Sequence, residues 1–150
     1  MKCTGYMFQS YYSFKIDCQF LPLPFKLITT MAKRILVIDD DQDILSILDI
    51  IFAEEGYEVI LQDTGATADE VKLIGPDLIL LDIRIAGFSK SGDEICAEIK
   101  HELELTAIPV LLVSAEPDVH QRASLCGANG YLNKPFDINK LLEKVKEFIT

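Results

Sequence analysis

The chain has 150 residues, of which 49% are hydrophobic, so it can bury the core of one domain but not of two. Its 24 acidic side chains outnumber 14 basic ones, which argues against a nucleic-acid partner because phosphate binding needs clustered lysines and arginines. No uninterrupted apolar stretch of about 18 residues is present, so we expect no transmembrane helix and no membrane partner.

Residues 1–30 differ from the rest of the chain. They hold 7 of its 13 aromatic residues, show neither a helical nor a strand period, and are interrupted by Pro22 and Pro24. Met31 stands directly before the first strand, where the initiator methionine of the domain would be expected. We therefore expect residues 1–30 to be a disordered extension or a misread gene start. The alternative is a tail whose aromatic side chains dock on a partner.

From Lys33 onward the sequence alternates between strand and helix. The predicted strands are short apolar runs at residues 34–38, 57–61, 78–81, 109–113 and 130–132. The predicted helices lie between and after them, at residues 42–55, 65–74, 92–102, 117–126 and 138–149. Five strands that alternate with five helices imply an α/β fold with a doubly wound parallel sheet that is covered on both faces.

The first predicted helix shows the helical period most clearly. Its apolar face comprises Ile44, Leu45, Ile47, Leu48, Ile51 and Phe52, and Gly56 ends it. At its start, Asp41 is expected to be the N-cap, because an aspartate there accepts hydrogen bonds from backbone N–H groups. The second predicted helix opens at Gly65 and ends at Gly75-Pro76.

Charged side chains follow three of the predicted strands. Asp39 and Asp40 follow the first strand, Asp82 follows the third, and Lys134 follows the fifth. In a sheet of order 2-1-3-4-5, ligands bind beyond the carboxyl ends of strands one and three, where the strand order reverses. Crowded carboxylates repel one another unless a cation lies between them, and Mg²⁺ prefers such oxygen ligands. The pattern predicts phosphoryl chemistry on a carboxylate.

Residues 31–150 resemble the receiver domain of two-component response regulators. The matching motifs, in chain order, are Val37-Ile38-Asp39-Asp40-Asp41, Asp77-Leu-Ile-Leu-Leu-Asp82, Ser114-Ala115 and Lys134-Pro135-Phe136. This resemblance implies the flavodoxin-like, chemotaxis-type receiver fold with strand order 2-1-3-4-5. Because the chain stops where the receiver's last helix stops, we expect a single-domain regulator without an output domain.

The resemblance also implies a reaction. Asp82 would be the phosphoacceptor, and a histidine kinase or a histidine phosphotransfer protein would be the donor. Asp40 and Asp82 would bind Mg²⁺, Asp39 would orient a metal-bound water, and the backbone carbonyl of Arg84 would complete the ligands. The acyl phosphate would be transient and lost by autodephosphorylation, and the signal would pass to a downstream protein that the sequence does not name.

Three further residues receive roles from the same resemblance. Ser114 and Lys134 would hold phosphoryl oxygens as charge builds in the transition state. The Lys134-Pro135 bond would be a cis peptide. Tyr131 would form the conformational switch with Ser114. The simpler interpretations are that Ser114 is an N-cap of the next helix and that Tyr131 only covers the edge of the sheet.

Two other functions stay open at this point. In a haloacid-dehalogenase-like phosphatase, Asp39 would attack and Asp41 would be the acid, but Asp82 would have no role. A pseudo-receiver would bind partners without phosphorylation, although the acidic pair, acceptor, hydroxyl and lysine argue against it. The loop after Asp82 departs from the family pattern, since Gly92 comes two residues later than usual and Pro is absent. A longer, Pro-free loop is expected to be more mobile.

The remaining candidate residues receive no functional role. Four cysteines lack Cys-x-x-Cys spacing, which favours reduced thiols in a cytosolic protein. They are Cys3, Cys18, Cys96 and Cys126, and Cys96 is expected to be a small core hydrophobe. His101 and His120 lie in polar helical stretches and are expected to be exposed.

Overall fold

The computed structural model describes residues 31–149, and these form five strands and five helices in alternation. The elements are β1 (Arg34–Ile38), α1 (Gln42–Glu54), β2 (Glu58–Gln62), α2 (Ala68–Ile74), β3 (Leu78–Leu81), α3 (Gly92–His101), β4 (Val110–Ser114), α4 (Val119–Cys126), β5 (Gly130–Asn133) and α5 (Ile138–Phe148). The expectation for residues 1–30, including Cys3 and Cys18, lies outside the described residues.

The five strands form one parallel sheet of order β2-β1-β3-β4-β5, which confirms the predicted fold class and strand order. The central strands β1, β3 and β4 are buried along nearly their whole length, as continuous apolar runs in a doubly covered sheet should be. In the register, Ile38 at the end of β1 lies beside Leu81 at the end of β3. The residues that follow these two strands therefore leave the sheet side by side.

Helices cover both faces of the sheet. Alternate residues of β1 point to opposite faces, so Leu36 packs with the cores of α2, α3 and α4, while Val37 packs with those of α1 and α5. The second of these cores contains Phe52, which is fully buried. Cys96 lies in the first core and is a free thiol without exposure, so the expectation that it is a small core hydrophobe is confirmed.

The helix α1 buries a narrower face than the sequence predicted. Leu45, Leu48 and Phe52 are buried, but the side chain of Ile47 is 48% exposed, so its assignment to the apolar face is wrong. Ile47 lies about 100° around the helix from Leu48, at the edge of the contact with the sheet. Asp41 is the N-cap, as expected, and its carboxylate accepts hydrogen bonds from the backbone N–H groups of Asp43 and Ile44.

The helices α2 and α4 begin later than predicted. The N-cap of α2 is Thr67, not Gly65, because Thr67 and Glu70 form a capping box in which each side chain bonds to the other's backbone N–H. The helix α4 begins at Val119, after Asp118, and not at Pro117. The boundaries of β2, β4 and β5 differ from the predicted ones by one residue.

A chain that begins at Met31 should fold and bind ligands like the full chain. The reason is that all five strands and five helices lie between Arg34 and Phe148, within the described residues. Thermal unfolding and Mg²⁺ titration, performed on both chains, measure this. Loss of folding or solubility in the shorter chain would show that residues 1–30 contribute to the domain.

Among residues 31–149, no helix is both long and apolar enough to span a bilayer.

Candidate functional site

Three carboxylates meet at the carboxyl ends of β1 and β3. Asp39 and Asp82 are buried, with 3% and 8% of their surface exposed, whereas Asp40 is exposed. One carboxylate oxygen from each residue lies within 4.8 Å of the others. The parallel register produces this cluster because β1 and β3 end level with each other at the point where the strand order reverses.

The fifth strand brings a cation to the same place. The Nζ of Lys134 lies 2.5 Å from Oδ2 of Asp39 and 3.0 Å from Oδ2 of Asp82. The backbone of Lys134 is held by its N–H, which donates to the carbonyl of Ser114 at 2.9 Å. The peptide bond between Lys134 and Pro135 is cis, as the sequence resemblance implied. The two contacts of Nζ place the ammonium between the two buried carboxylates.

Burial shifts the proton affinities of this cluster. The pKa of Asp39 is raised, mainly because burial disfavours its carboxylate, although the hydrogen bonds from Lys134 and from the N–H of Asp41 oppose the shift. For Lys134, burial disfavours the ammonium, but the hydrogen bonds to Asp39 and Asp82 outweigh it, so the pKa is raised. One ammonium faces three carboxylates. The excess of negative charge, and a donor set made of hard carboxylate oxygens, fit a small divalent cation such as Mg²⁺.

Ser114 ends β4 beside this cluster and is 2% exposed. Its Oγ accepts a hydrogen bond from the backbone N–H of Glu116 at 3.2 Å. Since α4 begins only at Val119, after Asp118, the interpretation of Ser114 as its N-cap is wrong. The Oγ binds within its own loop, where β4 turns away from the sheet.

Tyr131 lies on β5 and is partly buried. Its ring meets the ring of His120 edge to face, with centroids 5.4 Å apart and planes at 77°. His120 is exposed, as expected, and so is His101. No pattern in the sequence indicated the contact between His120 and Tyr131, because this contact depends on how α4 packs along β5 and not on any spacing within either element.

The loop between β3 and α3 contributes backbone groups. The N–H of Arg84 donates to Oδ1 of Asp82 at 3.3 Å, and the N–H of Ala86 donates to Oδ2 of Asp40 at 3.2 Å. The guanidinium of Arg84 is exposed and pairs with Glu116 across the mouth of the site. A cleft of about 520 Å³ opens beside Asp40, between this loop and the start of α4. No sequence motif pointed to Ala86, since any residue can supply a backbone N–H.

Sheet order and site together define a doubly wound α/β protein with an acidic cluster at the topological switch point. The response regulator receiver domain family matches residues 35–146, and the chain belongs to this family. The match covers most of the chain and all ten elements except the end of α5 and the first residue of β1. The resemblance that the sequence motifs indicated is therefore confirmed.

Several solved structures share this fold. A CheY-like receiver domain protein from Methanospirillum hungatei is 31% identical, with a TM-score of 0.64 over 77% of this chain and 92% of the other. The chemotaxis protein CheY4 of Vibrio cholerae is 23% identical, with a TM-score of 0.67 over 79% of this chain and 99% of the other, and shares the fold. NtrX of Brucella abortus is 28% identical, with a TM-score of 0.68 over 79% of this chain but only 27% of its own.

Proposed function

We propose that this protein accepts a phosphoryl group on Asp82 from a phosphohistidine of a kinase or phosphotransfer protein and signals by binding a downstream protein. The observation that carries this proposal is the position of Lys134, whose Nζ contacts both Asp39 and Asp82 beside a cluster of three carboxylates. This arrangement supplies a nucleophile and a cation to one small space. The cytosol, where such kinases present their phosphohistidine, is the expected location.

Asp40 and Asp82, with the backbone carbonyl of Arg84, would hold Mg²⁺, and Asp39 would orient a water on the ion. When bound, Mg²⁺ supplies positive charge beside the transferring phosphoryl group. The chain's own contribution is to hold the carboxylates in place. Lys134 and Asp41 N–H fix the oxygens of Asp39, and Ala86 N–H fixes Asp40.

The chemical step follows from the residues that surround Asp82. A carboxylate oxygen of Asp82 attacks phosphorus, a P–O bond forms, the P–N bond of the phosphohistidine breaks, and its electron pair returns to the imidazole nitrogen. Lys134 donates hydrogen bonds to the phosphoryl oxygens as their charge builds. Ser114 can do the same, because its Oγ accepts from Glu116 N–H and keeps its own hydrogen for donation.

The phosphatase alternative fits these contacts poorly. It needs Asp41 as an acid, but the carboxylate of Asp41 accepts two N–H groups at the start of α1 and serves as the N-cap. It also leaves Asp82 without a role, although Asp82 is buried and bound to Lys134. A pseudo-receiver would have no need for this set of contacts.

Labelling with a small acyl phosphate in the presence of Mg²⁺, followed by mapping of the modified residue, tests the proposal. Modification of Asp82 is expected. Modification of Asp39 would support the phosphatase alternative, and no modification at any residue would support the pseudo-receiver. Omission of Mg²⁺ should abolish the labelling, because three carboxylates and one ammonium leave the site too negative for a phosphoryl group.

Removing one carboxylate should remove metal binding. In Asp40→Ala we expect Mg²⁺ binding, which is weak in the parent, to become undetectable by titration. Mg²⁺ should also raise the melting temperature of the parent by mass action, but not that of Asp40→Ala. Asp49→Ala, which removes an exposed carboxylate from α1, is the matched control and should behave like the parent. An unchanged titration in Asp40→Ala would contradict the metal site.

Ser114 and Tyr131 are proposed to form the output switch. If a phosphoryl oxygen draws the hydroxyl of Ser114 toward Asp82, the ring of Tyr131 should turn inward and change the face formed by α4, β5 and α5. Beryllofluoride plus Mg²⁺ should then shift the ring signals of Tyr131 in NMR spectra. Ser114→Ala should weaken this response more than it weakens Mg²⁺ binding. Identical responses in both proteins would show that Ser114 does not transmit the signal.

A further inference from the structure

The loop between β3 and α3, residues 82–91, contains one packed aromatic side chain, Phe88, that has no role in the proposed phosphoryl transfer. Phe88 is half-buried and packs against the core between the sheet and helices α2–α4. The loop is longer than the family pattern, and from its length we expected mobility. Phe88 nevertheless packs against the core directly after the exposed residues Ala86 and Gly87.

The ring of Phe88 packs directly against Gly65, in the loop between β2 and α2. A Cβ placed on Gly65 would lie 2.2, 2.4 and 2.5 Å from three atoms of the Phe88 ring, far closer than van der Waals contact allows. Gly65 is itself buried. It is required here because the ring occupies the space that any side chain would need, and not because it starts a helix.

Phe88 lies two residues after Ala86, whose N–H binds Asp40. Ile85, which is 7% exposed, and Phe88 close a tight turn in which the N–H of Phe88 donates to the carbonyl of Ile85 at 3.4 Å. Between the buried Ile85 and the half-buried Phe88, the N–H of Ala86 donates to Oδ2 of Asp40 at 3.2 Å. Asp40 is the exposed member of the acidic cluster. Among the described residues, the hydrogen-bond donor to its carboxylate is the N–H of Ala86.

We propose that Phe88, seated on Gly65, is a positioning residue that holds the Ala86 N–H against Asp40 and so fixes this carboxylate for metal binding. The effect on metal affinity rests on the function proposed above, whereas the effect on the Ala86–Asp40 hydrogen bond does not. Loss of a hydrogen-bond partner that orients a metal ligand commonly lowers metal affinity by about 10- to 100-fold, and because Phe88 acts through the N–H of Ala86 we expect an effect at the lower end of that range.

The test uses the full chain and two readouts. In metal-free protein, the amide signal of Ala86 in NMR spectra reports its hydrogen bond, with Asp40→Ala as the reference for its loss. In Phe88→Ala the signal should move toward that reference, and Mg²⁺ affinity should fall about tenfold. Phe88→Leu, which keeps an apolar side chain over Gly65, should retain most of both. Leu73→Ala removes an exposed apolar side chain of α2 and should change neither.

A double-mutant cycle makes the test specific to the contact. Gly65→Ala should displace the ring and reproduce the effect of Phe88→Ala, but it should have little further effect in the Phe88→Ala protein, where no ring is left to displace. Equal effects of Gly65→Ala with and without Phe88 would overturn the proposal, as would an unmoved Ala86 signal in Phe88→Ala. If the parent itself fails to bind Mg²⁺, the proposed function fails, and the Ala86 signal still decides the role of Phe88.

Discussion

Asp82→Asn should abolish phosphorylation of the protein while leaving its fold intact. The amide has nearly the same shape as the carboxylate but is not a nucleophile, so labelling by a small phosphodonor should fall to background. The substitution removes one charge from a cluster in which three carboxylates face one ammonium, and Lys134 keeps its partner Asp39. We expect the free energy of unfolding to change by less than about 1 kcal/mol.

The control for this experiment is Asp41→Asn. Asparagine is as good an N-cap as aspartate, so the start of α1 should persist and labelling should match that of the parent. Mass spectrometry of the labelled proteins and chemical denaturation measure the two expected results. Stable labelling of Asp82→Asn, or loss of labelling in Asp41→Asn, would contradict the assignment of Asp82 as the acceptor.

Gly92→Ala should be the most damaging single-methyl substitution near the site. A Cβ on Gly92 would lie 1.9 Å from the backbone oxygen of Asp82, 2.8 Å from its carbonyl carbon and 3.0 Å from the Cα of Ile83. These are backbone atoms at the end of a central strand, and they cannot move without displacing Asp82 itself. We expect the free energy of unfolding to fall by about 3 kcal/mol and Mg²⁺ binding to weaken with it.

Gly130→Ala is the matched control. There the new Cβ would lie 3.0 Å from Cδ2 of the buried Leu111 and 3.0 Å from Cε of the partly exposed Lys144, so only side-chain atoms, and no backbone atom, must shift by a few tenths of an ångström. The loss of unfolding free energy should therefore stay below about 1 kcal/mol, with metal affinity unchanged. Equal losses in the two variants would show that contact with the Asp82 backbone is not the reason for glycine at position 92.

The strands and their polar ends were predictable from the sequence for a local reason. A buried parallel strand is a continuous apolar run, and the change to Asp after Ile38 and after Leu81 marks where each run leaves the core. With the strand order of the doubly wound fold, these local signals suffice to bring Asp39, Asp40 and Asp82 together. Helix boundaries were less predictable, because the capping box at Thr67 outweighs the glycine signal at Gly65.

The tertiary structure alone decided the contacts that join distant parts of the chain. Lys134 contacts Asp39, which lies 95 residues earlier in the chain, and Asp82, which lies 52 residues earlier. These contacts follow from the lateral order of the strands. The contacts of Phe88 with Gly65 and of His120 with Tyr131 leave no period or motif in the sequence. They arise because close packing lets one side chain fill the space that another residue leaves, and that space exists only once the sheet and its helices have assembled.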